Sequence, residues 1–172
     1  PHGNANISIV HNGIIENYRT IKDFLLKKGY IFESQTDTET VAKLLDYYYD
    51  GDPMATIQKV LAEIEGSYAL GIIFKDFPRR MYAVRKDSPL IVAVGEDEAF
   101  IASDVPAILK YTKNYYLLDE NEIAVLDDGK VGFFDVHGMP VEKEMLVADF
   151  DMEAAEKGGY AHFMLKEIHE QP

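Results

Sequence analysis

Residues 66–102, GSYALGIIFKDFPRRMYAVRKDSPLIVAVGEDEAFIA, decide the fold class. Short apolar runs alternate there with turns of a few residues, and the same pattern continues to residue 135. The runs predict strands at 68–74, 81–85, 90–94, 100–102, 115–118, 122–126 and 130–135. Asp128-Gly129 lies between the last two runs and predicts a hairpin. Strands joined by tight turns pair antiparallel, which argues against a doubly wound parallel sheet.

The sequence before this run predicts one strand and three helices. Residues 7–10, ISIV, form a short buried strand that we expect to stop at His11-Asn12-Gly13. The predicted helices span 16–28, about 36–49 and 53–62. Gly29 is the expected C-cap of the first helix, and Asp52-Pro53 is the expected start of the third. Further helices are predicted at 105–110, capped by Ser103-Asp104, and at 161–170. Together these elements predict one α+β layered domain over residues 1–172.

Composition excludes several classes of function. The chain has 172 residues and a formal net charge of −13, so nucleic acid and anionic membrane surfaces are not expected partners. It contains no cysteine, which removes disulfides, thiolate metal sites and a cysteine nucleophile from these residues. The five histidines do not fall at metal-ligand spacings, and no phosphate-binding or dinucleotide-binding glycine motif is present. No metal and no cofactor are therefore predicted.

His11-Asn12-Gly13 is the first of two candidate sites. An asparagine amide beside a glycine N–H offers two donors that can converge on one oxygen, as an oxyanion hole requires. Glycine also lets a substrate approach the backbone closely. The structural alternative is a hairpin turn, because Asn-Gly between apolar runs is the commonest hairpin signal. Spacing alone leaves both interpretations open.

Residues 34–39, SQTDTE, form the second candidate site. A carboxylate held there could bind the ammonium group of a substrate. The structural alternative is a capping box, in which Thr36 is the N-cap and Glu39 lies three residues later. Asp104 has the same ambiguity, between a helix cap and a residue that supports a site.

These segments, taken in order, resemble a known family. VHNGIIEN at 10–17, SQTDTE at 34–39, IASD at 101–104 and KEIHEQP at 166–172 are similar to the glutaminase domain of the glucosamine–fructose-6-phosphate aminotransferases (isomerizing). The first two motifs occur in looser form in other class II glutamine amidotransferases, whereas the last two point to the glucosamine-forming branch. The resemblance covers essentially the whole chain.

The resemblance implies an N-terminal-nucleophile hydrolase fold, a four-layer αββα sandwich with two antiparallel sheets. It also implies hydrolysis of L-glutamine by an amino-terminal cysteine whose own α-amino group is the base, and transfer of the ammonia to glucosamine 6-phosphate synthesis. By position, the Asn12 amide and the Gly13 N–H would form the oxyanion hole. Gly13 and Asp37 would bind the substrate, with Asp37 on the α-ammonium of glutamine. No role for His11 is carried over.

The chain departs from the family pattern at its start, because the terminal cysteine and several dozen following residues are absent. We therefore expect the carboxy-terminal portion of a type 2 glutamine amidotransferase domain, inactive by itself. The expected partners are the missing amino-terminal segment and a sugar-isomerase domain, in a cytoplasmic, homo-oligomeric complete protein. Two alternatives stay open: the glutaminase domain of another class II amidotransferase, and a non-catalytic acidic binding domain of the same fold.

Overall fold

Two antiparallel sheets stack face to face, and three helices cover the outer face of the larger sheet. The computed structural model describes residues 2–120 and 122–149. The strands are β1 His2–Gly3, β2 Ile7–Ile15, β3 Gly66–Phe74, β4 Arg80–Lys86, β5 Ile91–Val94, β6 Ala99–Ala102, β7 Asn114–Leu117, β8 Glu122–Asp127, β9 Lys130–Asp135 and β10 Leu146–Val147. The helices are α1 Tyr18–Lys27, α2 Asp37–Tyr48 and α3 Pro53–Leu61.

The larger sheet has the strand order β1-β2-β3-β4-β8-β9, and the smaller has the order β10-β7-β5-β6. Every pair of neighbouring strands in the two sheets is antiparallel. The predicted α+β class with antiparallel sheets is therefore confirmed. The helices, the larger sheet and the smaller sheet make three layers within the described residues.

Two apolar cores hold these layers together. Between the helices and the larger sheet lie Ile9, Leu25, Leu44, Leu70 and Phe74, each at most 1% exposed. Between the two sheets lies a second core. Its buried members are Ala69, Ala83, Leu90, Val92, Leu118, Ala124, Leu126 and Phe133. Since successive residues of a strand point to opposite faces, β3 supplies Leu70 to the first core and Ala69 to the second.

The helix boundaries confirm the predicted capping signals. The Thr36 hydroxyl accepts a hydrogen bond from the backbone N–H of Glu39 at 3.3 Å, and the Asp52 carboxylate accepts one from Ala55 at 3.1 Å. Gly29, with φ of +90°, follows the last turn of α1. In that conformation glycine avoids the steric cost that a Cβ would carry.

The prediction that strand 7–10 stops at His11-Asn12-Gly13 is wrong. Strand β2 continues to Ile15, and Asn12 and Gly13 pair with Ala69 and Tyr68 of β3. The Asn-Gly pair is thus in mid-strand, which also rules out the hairpin interpretation. A long-range partner strand satisfies the backbone there, and this overrides the local turn preference.

The predicted helix at 105–110 is also wrong. This segment forms successive turns, with backbone bonds from Ile108 N to Val105 O and from Tyr111 N to Ile108 O, both between residues three apart. Asp104 still accepts a hydrogen bond from the N–H of Ala107 at 3.2 Å, so its capping role is kept without a regular helix. The helix predicted at 161–170 and the KEIHEQP segment lie outside the described residues.

Candidate functional site

Asn12 lies on the face of β2 that is turned toward the smaller sheet. Side chains at 8, 10, 12 and 14 share this face, because they pair with alternate residues of β3. A cleft of about 300 Å³ opens beside Asn12 between the two sheets. Its lining also includes Gly71 of β3, Leu90, and Ile101 and Ser103 near the end of β6. The cleft is thus mainly apolar with a few polar groups, which is typical of a small-molecule site.

Gly13 of β2 pairs with Tyr68 of β3 and has no room for a side chain. Its φ is +123°, and a Cβ built on it would lie 2.1 Å from the carbonyl oxygen of Ser67. Neither the conformation nor the space admits another residue without a backbone shift. The glycine of the motif therefore has a structural requirement that the sequence did not reveal.

Asp37 is the first residue of α2 and links that helix to the end of β2. One carboxylate oxygen, Oδ2, accepts a hydrogen bond from the backbone N–H of Ile15 at 2.9 Å, and Oδ1 accepts one from Thr38 at 2.8 Å. The side chain is 22% exposed. A carboxylate has about four acceptor positions, so two backbone donors leave Asp37 able to accept from a ligand ammonium.

In SQTDTE, the helix cap and the carboxylate that could bind a substrate ammonium are different residues, so the two interpretations are compatible. Thr36 is the N-cap, so Asp37 is not needed for that purpose. The Glu39 carboxylate does not return to Thr36 as in a standard capping box. It accepts hydrogen bonds from the backbone N–H groups of Glu33 and Ser34 and from the Ser34 hydroxyl. Glu39 therefore fixes the loop in front of α2.

His11 is a site residue to which sequence reasoning gave no role. Its side chain is 2% exposed, and its Nδ1 lies 3.0 Å from Thr38 Oγ1 and 3.8 Å from Asp37 Oδ1. Burial lowers the pKa of His11 from its ordinary value, and the nearby Asp37 charge offsets part of this change. Local sequence carries no signal for this contact, because 27 residues separate His11 from Thr38.

The structure thus gathers the predicted residues around the last third of β2. Asn12 lines the inter-sheet cleft, while His11, Gly13 and Ile15 lie on the opposite face, toward α2.

Within residues 2–120 and 122–149, no group of three or more His, Cys, Asp or Glu side chains could hold a metal ion. No helix in the described part of the chain is long and apolar enough to cross a membrane.

Comparison of the whole sequence finds close relatives. The glutamine–fructose-6-phosphate aminotransferase (isomerizing) of Caldanaerobacter subterraneus subsp. tengcongensis is 58% identical over 166 residues, which is 96% of this chain and 27% of the relative. The enzyme of the same name from Clostridium tetani is 50% identical over 174 residues, which is 100% of this chain and 29% of the relative. The chain therefore spans less than a third of the length of these curated relatives.

Comparison of structures identifies the fold. The glutamine phosphoribosylpyrophosphate amidotransferase of B. subtilis, solved with ADP and GMP, superposes with a TM-score of 0.67. The match covers 78% of this chain and 30% of that chain at 21% identity. This confirms the predicted N-terminal-nucleophile hydrolase fold.

A family comparison gives the remaining evidence. The model of the glutamine amidotransferase domain matches residues 2–110, which contain Asn12, Gly13 and Asp37. By this match the chain belongs to the glutamine amidotransferase domain family.

Proposed function

We propose that this chain is the glutaminase part of a glutamine–fructose-6-phosphate aminotransferase (isomerizing), which releases ammonia from L-glutamine for glucosamine 6-phosphate synthesis. The observation that carries the proposal is the arrangement at the end of β2. Asn12 lines a cleft, Gly13 follows it, and two residues later the N–H of Ile15 binds Asp37. One short strand segment thus presents candidate oxyanion donors close to a carboxylate.

The chemistry that these residues would perform is electrostatic. Attack of a nucleophile on the γ-carboxamide carbon of glutamine turns the carbonyl oxygen into an oxyanion. The Asn12 side-chain N–H and the Gly13 backbone N–H would donate to that oxygen, and donors fixed in advance stabilise it without reorganisation. Asp37 would accept hydrogen bonds from the α-ammonium at the other end of the substrate.

The nucleophile must come from outside these 172 residues, because they contain no cysteine. In the proposed reaction a terminal cysteine sulfur attacks the carboxamide carbon and its proton passes to the cysteine α-amine. The α-ammonium then returns this proton to the leaving nitrogen as the C–N bond breaks, so that ammonia leaves, and water hydrolyses the thioester to glutamate. The chain corresponds in this proposal to the carboxy-terminal portion of a single glutaminase domain, and purified alone it releases no glutamate.

The relatives at 50–58% identity support fructose 6-phosphate as the acceptor in the complete protein. They also support a fused sugar-isomerising domain as the partner that receives the ammonia. We include in the proposal a homo-oligomeric, cytoplasmic complete protein. Assays of the complete protein with fructose 6-phosphate and with phosphoribosylpyrophosphate distinguish this enzyme from another class II amidotransferase, and glutamine-dependent product from the second acceptor alone would overturn the assignment.

The test of the site is the Asn12→Ala variant of the complete protein. Loss of one oxyanion donor lowers the kcat for glutamate release by ~10²–10³ with a small change in KM. Asn6→Ala is the matched control, since the exposed Asn6 amide contacts the half-buried Asp46 carboxylate at 3.3 Å and neither residue lines the cleft. An unchanged kcat in Asn12→Ala would refute the oxyanion assignment. Glutamate release by the purified 172-residue chain would refute the external nucleophile.

A further inference from the structure

Two hydrogen bonds fasten β2 to the first turn of α2, and they lie on either side of the Asn12-Gly13 pair. His11 contacts Thr38 Oγ1 at 3.0 Å, and the N–H of Ile15 donates to Asp37 Oδ2 at 2.9 Å. The residues between these two contacts are thus held at both ends against the helix that carries Asp37.

The Ile15 contact uses a backbone group, which nearly any residue would supply at that position. The His11 contact depends on its side chain, which is 2% exposed and lies on the helix-facing side of β2. Its second ring nitrogen, Nε2, is buried and has no partner among the described residues. The ring is therefore held through Nδ1.

The neighbouring donors and acceptors indicate where the proton lies. The Thr38 hydroxyl is 3.4 Å from Asp37 Oδ1 and can donate only one hydrogen. If it donates to the carboxylate, it accepts from His11 Nδ1–H, and the unpartnered Nε2 is then a bare acceptor. A buried N–H without a partner is rarer than an under-satisfied acceptor, which favours this tautomer.

A neutral His11 leaves the negative charge of Asp37 available. A protonated ring 3.8 Å from Asp37 would compete with an incoming ammonium for the same carboxylate. Burial opposes that protonation by lowering the pKa of His11. The ring can thus position the carboxylate without neutralising it.

We propose that His11 is a positioning residue for glutamine hydrolysis: through Thr38 it sets the position of Asp37 relative to the Asn12 and Gly13 donors. The inference rests on the proposed function, in which both groups must hold the same glutamine molecule. Misplacement of a binding group by about 1 Å costs as much as ~10²-fold in rate. We therefore expect loss of the contact to lower kcat/KM by ~10–10²-fold, with both a higher KM and a lower kcat.

The experiment uses substitutions that distinguish the effect of losing the His11–Thr38 hydrogen bond from the effect of changing the side-chain volume at position 11. An asparagine amide nitrogen occupies nearly the position of Nδ1, whereas a glutamine amide nitrogen occupies nearly that of Nε2. In the complete protein, His11→Asn retains most of the kcat/KM for glutamine, and His11→Gln and Thr38→Val lose ~10–10²-fold. Thr40→Val is the matched control on the same helix, because the Thr40 hydroxyl is buried with no hydrogen-bond partner among the described residues. Rates are normalised to the fraction of sites labelled by a glutamine-analogue inhibitor.

A double-mutant cycle measures whether the effects of His11→Gln and Thr38→Val on kcat/KM are independent. If His11 acts through Thr38, His11→Gln combined with Thr38→Val loses no more than the larger single effect. Multiplicative losses, or equal losses in His11→Asn and His11→Gln, would overturn the inference. Absence of glutamine hydrolysis by the complete wild-type protein would instead refute the proposed function, so the two failures are distinguishable.

Discussion

The contribution of Glu39 to the pH dependence of stability can be predicted from the hydrogen bonds and the lysine around its carboxylate. Its carboxylate accepts from Glu33 N–H at 2.8 Å, and from both the N–H and the hydroxyl of Ser34 at 2.6 Å. Lys43 Nζ lies 3.4 Å from Glu39 Oε1. Burial alone would raise the pKa of Glu39, but these hydrogen bonds and the lysine outweigh burial and lower the pKa from 4.5 to about 2.

The lowered pKa of Glu39 means that its ionised carboxylate stabilises the folded chain. A difference of this size between the unfolded and folded chain corresponds to ~3 kcal/mol of folding free energy at pH 7. Because the folded-state pKa is depressed, this stability is present above the unfolded value of 4.5 and is lost as the pH falls toward 2. Between pH 7 and pH 3.5 the loss is ~1.4 kcal/mol.

Urea unfolding of the 172-residue chain at both pH values tests this reasoning. Glu39→Gln, which removes the charge and one acceptor, loses ~3 kcal/mol at pH 7 but only ~1.6 kcal/mol at pH 3.5. Glu96→Gln is the matched control, since Glu96 is exposed and lies in the connection between β5 and β6, outside α2 and the loop before it. An equal deficit for Glu39→Gln at both pH values, or one no larger than that of the control, would refute the argument.

Three further predictions concern the neighbourhood of β2 and α2. Gly13→Ala places a Cβ 2.1 Å from the Ser67 carbonyl oxygen and lowers the free energy of unfolding by ~3 kcal/mol or more, whereas Gly51→Ala, with φ of +103° but open space, costs ~1 kcal/mol in the same urea assay. Asp37→Asn in the complete protein raises the KM for glutamine ~10–10²-fold with little change in kcat, because the ammonium loses a charged partner; unchanged KM would show that Asp37 is structural. Thr36→Ala removes the N-cap bond of α2 and costs ~1 kcal/mol, which Thr36→Ser restores, and equal stability of the two variants would contradict the cap.

Local signals predicted most of the secondary structure. The helices at α1, α2 and α3 and the central strands agree with the predicted ranges within a few residues, because apolar periodicity and capping residues act over one or two turns. The two-residue strands β1 and β10 were not predicted. β10 pairs with β7, which is distant in sequence, whereas β1 pairs with the nearby start of β2. Two residues are too few for an apolar alternation to be recognised in either case.

The two errors have the same origin. Asn12-Gly13 has the local preference of a turn, yet its backbone pairs with β3, more than fifty residues later. The segment 105–110 follows the cap signal Ser103-Asp104, yet it forms successive turns and no regular helix. At Asn12-Gly13 the pairing with β3 determined the backbone conformation, and at 105–110 the turn hydrogen bonds did so. In both cases the local propensity of the residues contributed little.

The sequence by itself determined the α+β class, the absence of thiol chemistry in these residues, and the candidates Asn12, Gly13 and Asp37. Composition and short-range periodicity are sufficient for the first two conclusions, since they depend on residue type and near neighbours. The roles of Asn12, Gly13 and Asp37 follow from the resemblance of their motifs to the family. The tertiary structure decided that Asn12 of β2 lines the inter-sheet cleft while Asp37 of α2 binds the N–H of Ile15 at the end of the same strand, and that His11 contacts Thr38 across 27 residues. Such relations depend on which strand pairs with which and in what register, and a shift of one residue would turn every side chain of β2 to the other face.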